Sequence, residues 1–328
     1  MMTLPELTVL RPRSVAEAVE ALRANPGARV LAGGTDIVPN LKYGMYDTQR
    51  LVALRGLSRE LRYVRETPGG AVELGALCTI DQLSRDELVK ARLPALAEAC
   101  SQIAGPQLRR MGTLGGNLCL DTRCVYINQT YFWRSALGFC LKKDGTACHV
   151  VAGGRRCVAA ASNDTAPVLL SLDASVRTVS PRGERLVPLR EFYVADGVHN
   201  TVLAPDELLV EVQVPASAAY RRQAFAKLRT RAAIDFPALN LAVALELEGR
   251  TVGAVSLAVS ALAARPVLIK GLDDLRGKPA DARLAEELGR RAQKQCKPLT
   301  NIGVDPDWRR DVLPVLVRRA VLRALGQP

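Results

Sequence analysis

The stretch Leu31-Ala32-Gly33-Gly34-Thr35-Asp36 decides how the first part of the chain folds, and Thr113-Leu114-Gly115-Gly116-Asn117 matches it further on. The glycine pair of the first stretch follows a predicted strand at residues 29–32, and that of the second follows a helix and a loop. Paired glycines let backbone amides approach a phosphate without a Cβ clash, and neighbouring hydroxyls add donors. Neither stretch is a G-x-G-x-x-G fingerprint or a P-loop. Either alone also fits a tight turn without a ligand, but together they predict a clamp on a pyrophosphate.

Cysteines are concentrated directly after the second glycine turn. The chain has eight in 328 residues, although cysteine is normally sparse and buried. Five fall between residues 118 and 160: Cys119, Cys124, Cys140, Cys148 and Cys157. The same stretch has six basic and two acidic side chains, a net charge of 6 − 2 = +4. Such a cationic loop would compensate thiolates around a metal centre.

The spacing of Cys124, Cys140, Cys148 and Cys157 leaves three interpretations open. Zinc sites usually take ligands in C-x2-4-C pairs, whereas Cys119 and Cys124 form only a loose C-x4-C. The bacterial ferredoxin spacing is also absent. An iron–sulfur cluster, a zinc ion, and unligated or disulfide-bonded cysteines all remain open. The first residues do not form a secretory signal, and we therefore expect a cytoplasmic location, where disulfides are rare.

Composition limits the class of protein. The hydrophobic share of 48% and charged share of 24% are ordinary for a globular chain, and no run of 18 apolar residues predicts a membrane span. The net charge of +12 comes from basic residues spread along the whole chain. Because no nucleic-acid motif accompanies them, we expect neither a nucleic-acid nor a membrane partner. His149, beside Cys148, is predicted to lie at the loop surface.

Turns and helix caps outline the remaining elements. Capping boxes at Ser14 and Thr79 predict helices, the second interrupted at Pro94 and replaced by another helix to residue 103. A strand-forming segment at 167–179 leads into a hairpin turn. Further strands are predicted at 207–215, 225–231, 238–247 and 251–260, and helices at 280–294 and 307–325. Strands and helices in blocks predict an α+β class, with a linker near residues 216–219.

The two glycine motifs together resemble those of the FAD-binding subunits of the xanthine dehydrogenase and carbon monoxide dehydrogenase family. In that family a short serine-containing segment ending in aspartate follows the second motif directly. Ser162-Asn163-Asp164 resembles it here, about forty residues later. The resemblance covers nearly the whole chain. It implies an FAD-binding domain at residues 1–217, which consists of two α/β subdomains (PCMH-type) and carries an iron–sulfur loop inserted at about 118–160. It also implies a C-terminal α+β domain at 218–328, like that of the carbon monoxide dehydrogenase flavoprotein.

The inserted loop resembles that of one group in the family, the β subunits of 4-hydroxybenzoyl-CoA reductases, whose loop holds a 4Fe-4S cluster. The resemblance is carried by Cys119-Leu120-Asp121-Thr122-Arg123-Cys124, Asn128-Gln129, Trp133-Arg134-Ser135, Cys140-Leu141-Lys142 and Cys148-His149-Val150. It implies that the cluster ligands are Cys124, Cys140, Cys148 and Cys157. Cys119 is then a packing residue or a neighbour of the cluster.

The resemblance also implies which residues contact FAD, and it places no catalytic residue on this chain. Ile103 would pack on the isoalloxazine, while Leu209 is alternatively a strand core residue and Lys227 a surface lysine. The implied FAD contacts are Arg29, Val30, Leu31, Ala32, Gly33, Gly34, Thr35, Asp36, Ile103, Gly112, Thr113, Leu114, Gly115, Gly116, Asn117, Asp164, Leu209 and Lys227.

The function implied is that of an electron-transfer subunit in a molybdenum-containing 4-hydroxybenzoyl-CoA reductase. Electrons from reduced ferredoxin would pass through the 4Fe-4S cluster and FAD to 2Fe-2S clusters and molybdenum, where the substrate is dehydroxylated to benzoyl-CoA. The implied partners are a large molybdenum-cofactor subunit and a small 2Fe-2S subunit, in a dimer of heterotrimers. The alternatives are the medium FAD subunit of another molybdenum hydroxylase, and a non-enzymatic zinc protein with a polyanion partner.

Three expectations concern the insert itself. Basic side chains would steer an acidic ferredoxin to the loop: Lys142, Lys143, Arg155 and Arg156. Aromatic side chains would shield the cluster from water or hold the loop down: Tyr131, Phe132 and Trp133. Loss of the cluster would leave FAD bound, because the insert is expected to be separate from the glycine turns.

Overall fold

A small parallel sheet begins the chain in the computed structural model, which describes residues 3–327. Its strands run in the order β1-β3-β2. The Ser14 hydroxyl accepts the N–H of Glu17 and caps the first helix, as the capping box predicts. The elements are β1 (Thr8–Leu10), α1 (Val15–Ala24), β2 (Arg29–Leu31), α2 (Ile37–Lys42), β3 (Arg50–Ala53), a 3₁₀ turn (Leu54–Leu57) and α3 (Ser58–Leu61).

A second subdomain is built on a five-stranded antiparallel sheet. Its strand order is β4-β5-β8-β6-β7, so the chain leaves the sheet after the second strand and returns after the helices and the insert. The elements are β4 (Val64–Glu66), β5 (Val72–Gly75), α4 (Ile80–Arg85), α5 (Glu87–Arg92), α6 (Pro94–Ser101), α7 (Pro106–Met111), α8 (Leu114–Leu118), α9 (Tyr131–Ala136), α10 (Thr165–Ser171), β6 (Ser175–Ser180), β7 (Gly183–Pro188), α11 (Leu189–Phe192), β8 (Leu208–Val214) and α12 (Ala216–Ala219).

Two predicted elements of this subdomain differ from the structure. The helix that begins after Thr79 ends at Arg85, before Pro94, because the Asp86 carboxylate accepts the N–H groups of Leu88 and Val89 and starts a new helix. The segment predicted as strand at 167–179 begins as α10, whose seven residues are all buried. A short apolar run buried on every side does not distinguish strand from helix by periodicity.

The C-terminal part packs two helices against an antiparallel sheet of order β12-β11-β10-β9. The strand predicted at 251–260 is confirmed, and those predicted at 225–231 and 238–247 are shifted by a few residues. The elements are β9 (Arg222–Leu228), β10 (Leu239–Glu248), β11 (Thr251–Ser260), β12 (Val267–Leu268), a 3₁₀ turn (Asp273–Leu275), α13 (Ala282–Gln295) and α14 (Pro306–Ala324).

The insert is a mostly irregular loop fixed at its base. Arg123 and Ala160 exchange two backbone hydrogen bonds of 2.8 and 2.7 Å and close the two ends of the loop. The N–H of Val125 donates to the carbonyl of Asn301 at 2.9 Å, which ties the loop to the C-terminal part. Within residues 3–327, no helix is both long and apolar enough to span a bilayer.

Candidate cofactor sites

The two glycine turns meet backbone to backbone. A Cβ at Gly33 would lie 1.9 Å from the carbonyl oxygen of Met111, a separation that no real Cβ adopts. A Cβ at Gly112 would lie 3.5 Å from the Thr35 hydroxyl oxygen. Only glycine at position 33 therefore permits this approach, and the two predicted phosphate turns form one continuous edge.

The second turn rests on the end of β5 and leaves one glycine facing outward. The N–H of Gly115 donates to the carbonyl of Ala76 at 2.9 Å, and a Cβ there would lie 3.1 Å from the same oxygen. Gly116 is exposed, and a Cβ there would meet only the Thr113 hydroxyl, at 3.0 Å. Gly115 is thus needed for packing, whereas Gly116 leaves space free beside the turn.

Asp36, predicted to contact FAD, already has protein partners for both carboxylate oxygens. Arg123 donates to Oδ1 at 2.9 Å, and the Asn40 side-chain amide donates to Oδ2 at 3.0 Å. Burial raises the pKa of Asp36, and the Arg123 guanidinium opposes that rise. Asp36 therefore fixes the first turn in place, and it does so through a residue of the insert. The expectation that the insert is separate from the glycine turns is wrong.

Asp164, at the start of α10, and Lys227, in β9, form a buried ion pair between the second subdomain and the C-terminal sheet. The Lys227 ammonium donates to Asp164 Oδ2 at 2.7 Å, and the Asn240 amide donates to Oδ1 at 2.8 Å. The Lys227 side chain is 1% exposed, so the alternative of a surface lysine is wrong. Burial raises the pKa of Asp164, and Lys227 opposes that rise. Lys227 also reaches the carbonyl of Gln102, the residue before Ile103, at 3.2 Å.

The other predicted FAD residues lie in several elements, and two of them are in the core. Arg29, Val30 and Leu31 form β2, Ala32 precedes the first glycine pair, and Ile103 is half-buried. Asn117 Oδ1 accepts from the N–H and hydroxyl of Thr165, which ties the second turn to the segment that contains Asp164. Leu114 and Leu209 are buried in the main core. The Leu209 position therefore agrees with the strand-core alternative, and its contact with FAD stays a prediction.

All four predicted cluster ligands line one small cavity. Its wall contains Cys124, Cys140, Cys148 and Cys157, with Lys142 and apolar or aromatic side chains between them. Burial raises the pKa of the Cys124 thiol to about 11, and the other three thiols raise it further because they lie nearby. Cys119 is exposed and does not line the cavity. The fold thus brings together cysteines separated by up to 33 positions in sequence, 157 − 124 = 33.

Backbone amides are directed at three of these sulfurs. The N–H of Val151 donates to Cys148 Sγ at 3.4 Å. Burial raises the pKa values of the Cys124 and Cys157 thiols, and hydrogen bonds from the N–H groups of Tyr126 and Ala159 oppose that rise. Such donors favour the thiolate, the form in which cysteine binds a metal.

The positions of the cysteines do not form a site for a single metal ion. Across the described residues, no three or more Cys, His, Asp or Glu side chains are arranged to hold one metal ion. Four sulfurs around one zinc ion stand about 3.8 Å apart, from a Zn–S distance of about 2.3 Å. In a 4Fe-4S cluster each thiolate binds a different iron, and the sulfurs stand further apart around a central space. The four cysteines share one cavity wall, and the separations between their sulfurs distinguish these two arrangements.

Two of the four basic residues expected to steer ferredoxin are occupied inside the protein. Lys142 is 7% exposed, and its ammonium donates to Asp121, Thr122 and the Gly197 carbonyl. Lys143 is 13% exposed and pairs with Asp47 and Asp144. Arg155 and Arg156 are exposed and form no ion pair within residues 3–327. The steering role predicted for the two lysines is therefore wrong, because both ammonium groups are largely buried and paired with groups of the protein itself.

The aromatic residues of α9 neither cover the cavity as a group nor hold the loop down. Phe132 is 82% exposed and Tyr131 is 61% exposed. Trp133 alone approaches the cavity wall, with its ring 6.4 Å from that of Tyr126. The loop is held down by Arg134, which is fully buried and donates to the Tyr43 and Gly44 carbonyls at 2.9 and 3.1 Å. His149, predicted at the surface, lines the cavity and bonds the Phe139 carbonyl at 2.6 Å.

Comparison with known proteins identifies the fold. A family model described as the FAD binding domain in molybdopterin dehydrogenase matches residues 5–217. The chain belongs to the FAD-binding medium subunits of the xanthine dehydrogenase and carbon monoxide dehydrogenase family. A second model, the CO dehydrogenase flavoprotein C-terminal domain, matches residues 223–324 of this medium subunit. The predicted fold class is confirmed.

Individual relatives of this medium subunit span almost its full length. The carbon monoxide dehydrogenase medium chain of Hydrogenophaga pseudoflava is 28% identical over 97% of this chain and 96% of the relative. The aldehyde oxidoreductase FAD-binding subunit PaoB of Escherichia coli K12 is 31% identical over 84% and 87%. A solved structure of carbon monoxide dehydrogenase from Hydrogenophaga pseudoflava superposes with a TM-score of 0.82 at 27% identity, covering 99% of both chains.

Several residues that build the sites of this medium subunit were not predicted. Arg123 pairs with Asp36, 87 positions away in sequence, and its guanidinium lies 3.8 Å from the Phe236 ring centroid. Tyr46 donates to Asp121 at 2.8 Å. Gly197 packs so closely on the cavity that a Cβ would lie 2.7 Å from Cys157 Sγ. Only the position of Arg123, directly before Cys124, was a signal in the sequence.

Proposed function

We propose that the chain is the FAD- and 4Fe-4S-binding subunit of a molybdenum-containing 4-hydroxybenzoyl-CoA reductase. The observation that carries the proposal is the cavity lined by Cys124, Cys140, Cys148 and Cys157 in a loop beside the glycine turns. A cluster in this cavity and FAD at the glycine turns would transfer electrons one at a time. The protein would bind the two cofactors, fix the distance between them and set their electrostatic surroundings.

The chain's own residues support both halves of this proposal. Amides directed at three sulfurs and the buried Lys142 charge favour thiolates in the cavity. The edge formed by Gly33 and Gly112 would receive the FAD pyrophosphate, and Gly116 leaves space beside it. The Asp164–Lys227 pair, next to Ile103, would support the flavin side of the site.

The organisation of the complex is part of the proposal. Family members assemble with a large molybdenum subunit and a small 2Fe-2S subunit. We infer the same partners here, in a dimer of heterotrimers in the cytoplasm, with the organic substrate on the large subunit and ferredoxin as electron donor. Within the chain we infer two domains, residues 1–217 and 218–328, with the cluster loop at about 118–160.

A second candidate is the medium subunit of another molybdenum hydroxylase, with electrons leaving through FAD. The names of the relatives favour it, since they include carbon monoxide dehydrogenase and aldehyde oxidoreductase. The cysteine cavity favours the reductase, because an electron-accepting flavin needs no further centre beside it. Family membership gives no support to a non-enzymatic zinc protein.

The native complex tests the choice between these functions. With a strong reductant and 4-hydroxybenzoyl-CoA, the purified complex is expected to form benzoyl-CoA, measured by chromatography. With carbon monoxide, xanthine or an aldehyde and an electron acceptor, it is expected to remain inactive. Oxidation of one of these substrates without any benzoyl-CoA formation would select the second candidate.

The exposed pair Arg155 and Arg156 is expected to guide the donor to the cluster loop. Reversing both to glutamate should slow reduction by ferredoxin at low salt by about 10-fold or more and flatten its salt dependence, because steering between exposed charges is screened over about 10 Å at 0.1 M salt. Stopped-flow absorbance on the complex measures the rate, and dithionite reduction should stay unchanged.

In the matched control, Arg318 and Arg319, an exposed pair on α14, are both replaced by glutamate, which changes the net charge by the same amount. Equal slowing by both double reversals would mean that only net charge matters. An unchanged ferredoxin rate in the Arg155 and Arg156 variant would place donor docking elsewhere.

A further inference from the structure

A continuous series of hydrogen bonds joins the first glycine turn to the cysteine cavity. It consists of Asp36, Asn40, Tyr46, Asp121 and Lys142, here called the linking network. Asp36 is the last residue of the first glycine turn, and Lys142 lies in the cavity wall beside the cysteines. The three residues between them belong to neither predicted site.

Each donor in the linking network has enough hydrogens for its bonds, with Asn40 donating to both of its neighbours and Asp121 accepting from both of its neighbours. The Asn40 amide donates to Asp36 Oδ2 at 3.0 Å and to the Tyr46 hydroxyl oxygen at 3.2 Å. The Tyr46 hydroxyl donates to Asp121 Oδ2 at 2.8 Å, and the Lys142 ammonium donates to Asp121 Oδ1 at 2.7 Å. The hydrogen bonds of this part-buried network restrict the separation of its two ends.

Further hydrogen bonds hold Lys142, the member of the linking network that lies in the cavity wall. Its ammonium also donates to the Thr122 hydroxyl at 2.6 Å and the Gly197 carbonyl at 2.5 Å. The N–H of Gly197 in turn donates to the Cys157 carbonyl at 2.8 Å. Displacement of the cysteine loop therefore displaces Lys142 and, through Asp121 and Tyr46, the glycine turn.

We propose that the linking network couples the two cofactor sites, so that an ordered cysteine loop strengthens FAD binding and bound FAD stabilises the cysteine loop. Such coupling is reciprocal by thermodynamic necessity. Tyr46 and Lys142 are positioning residues in this proposal, which rests on the proposed function and adds a dependence between its two cofactors. Arg123 gives a second, direct contact to Asp36, so the test must isolate the route through Tyr46.

A double-mutant cycle on the full chain isolates that route. FAD dissociation constants are measured by flavin fluorescence for the wild type, Lys142→Met, Tyr46→Phe and the double variant. Each single change should weaken FAD binding by about 10-fold, within the usual range of coupling between sites. The FAD affinity of the double variant should be no lower than that of the single variant with the lower FAD affinity, because either change already interrupts the network. Phenylalanine retains the ring over which the Arg29 guanidinium lies, at 3.7 Å.

Lys143→Met is the matched control, since its partners Asp47 and Asp144 lie outside the linking network. It should leave FAD affinity within about 2-fold of the wild type, as expected of a site that is not coupled. Fully additive effects of Lys142→Met and Tyr46→Phe, or an unchanged FAD affinity in a folded Lys142→Met protein, would overturn the proposal.

Iron removal gives a second measurement that does not need the lysine variant. Chelation of iron should weaken FAD binding by about 10-fold in the wild type and by clearly less in Tyr46→Phe, where only the Arg123 contact to Asp36 remains. Equal weakening in both proteins would overturn the proposed route. If the chain holds no iron, the proposed function fails while the double-mutant cycle still decides the coupling. If iron is present and the cycle is additive, only the coupling fails.

Discussion

Cys140→Ser is expected to lose essentially all of its iron, because serine removes one of the four thiolates that line the cavity. Metal analysis and the broad visible absorption of the protein, both after anaerobic purification, measure the loss. FAD should still be found in the variant, since the glycine turns keep their own contacts through Gly33 and Gly115. Its affinity should be lower than in the wild type, because the cysteine loop then no longer supports the linking network.

Cys119→Ser is the matched control for the ligand set. Cys119 lies in the same segment but is exposed and outside the cavity wall. It should keep the iron content of the wild type. Loss of iron from Cys119→Ser, or full retention of iron in Cys140→Ser, would contradict the assignment of Cys124, Cys140, Cys148 and Cys157 as ligands.

Gly116→Val is expected to weaken FAD binding by at least about 100-fold, or about 2.7 kcal/mol. The branched side chain would occupy the space that Gly116 leaves open beside the second turn. The fold should survive, because the added Cβ meets only one hydroxyl oxygen. Flavin released from the wild type is expected to be FAD and not FMN, since two adjoining turns suit a pyrophosphate.

Variants of other glycines separate ligand exclusion from damage to the fold. Gly33→Ala should lose FAD and also destabilise the protein by about 1–3 kcal/mol, the usual cost of overpacking, since its Cβ would overlap the Met111 carbonyl. Gly34→Val should also lose FAD, because Gly34 has a positive φ of 76° that a branched residue rarely adopts. Gly303→Val, with no neighbour within 4 Å, should change neither property. Full FAD occupancy in Gly34→Val and Gly116→Val would contradict the clamp.

The sequence was informative wherever local chemistry sets the structure. Ser14 and Thr79 cap helices through side chains three residues from their partners. Gly33 adopts the turn that its motif predicts. The four cysteines that the resemblance to a known loop singles out line one cavity, and their role as cluster ligands stays a prediction.

The parts that the sequence did not predict depend on contacts between distant segments. Arg123 meets Asp36 across 87 positions, and Tyr46 meets Asp121 across 75. No local pattern marks a lysine such as Lys142 as buried with three hydrogen bonds. Its position in a basic loop instead predicts an exposed charge. The strand predicted at 167–179 is wrong over its first part for a related reason, because burial on all sides of α10 comes from tertiary packing, whereas its end is confirmed as β6.

Iron, zinc and FAD should be determined together on the full-length wild-type chain after anaerobic purification, with Mössbauer spectroscopy to identify the iron species. Four irons in a single 4Fe-4S species, one FAD and no stoichiometric zinc per chain are expected, because four cysteines in one cavity would hold the cluster beside a pyrophosphate clamp. One zinc and no iron per chain, or iron without any cluster signature, would contradict the proposed cofactor content.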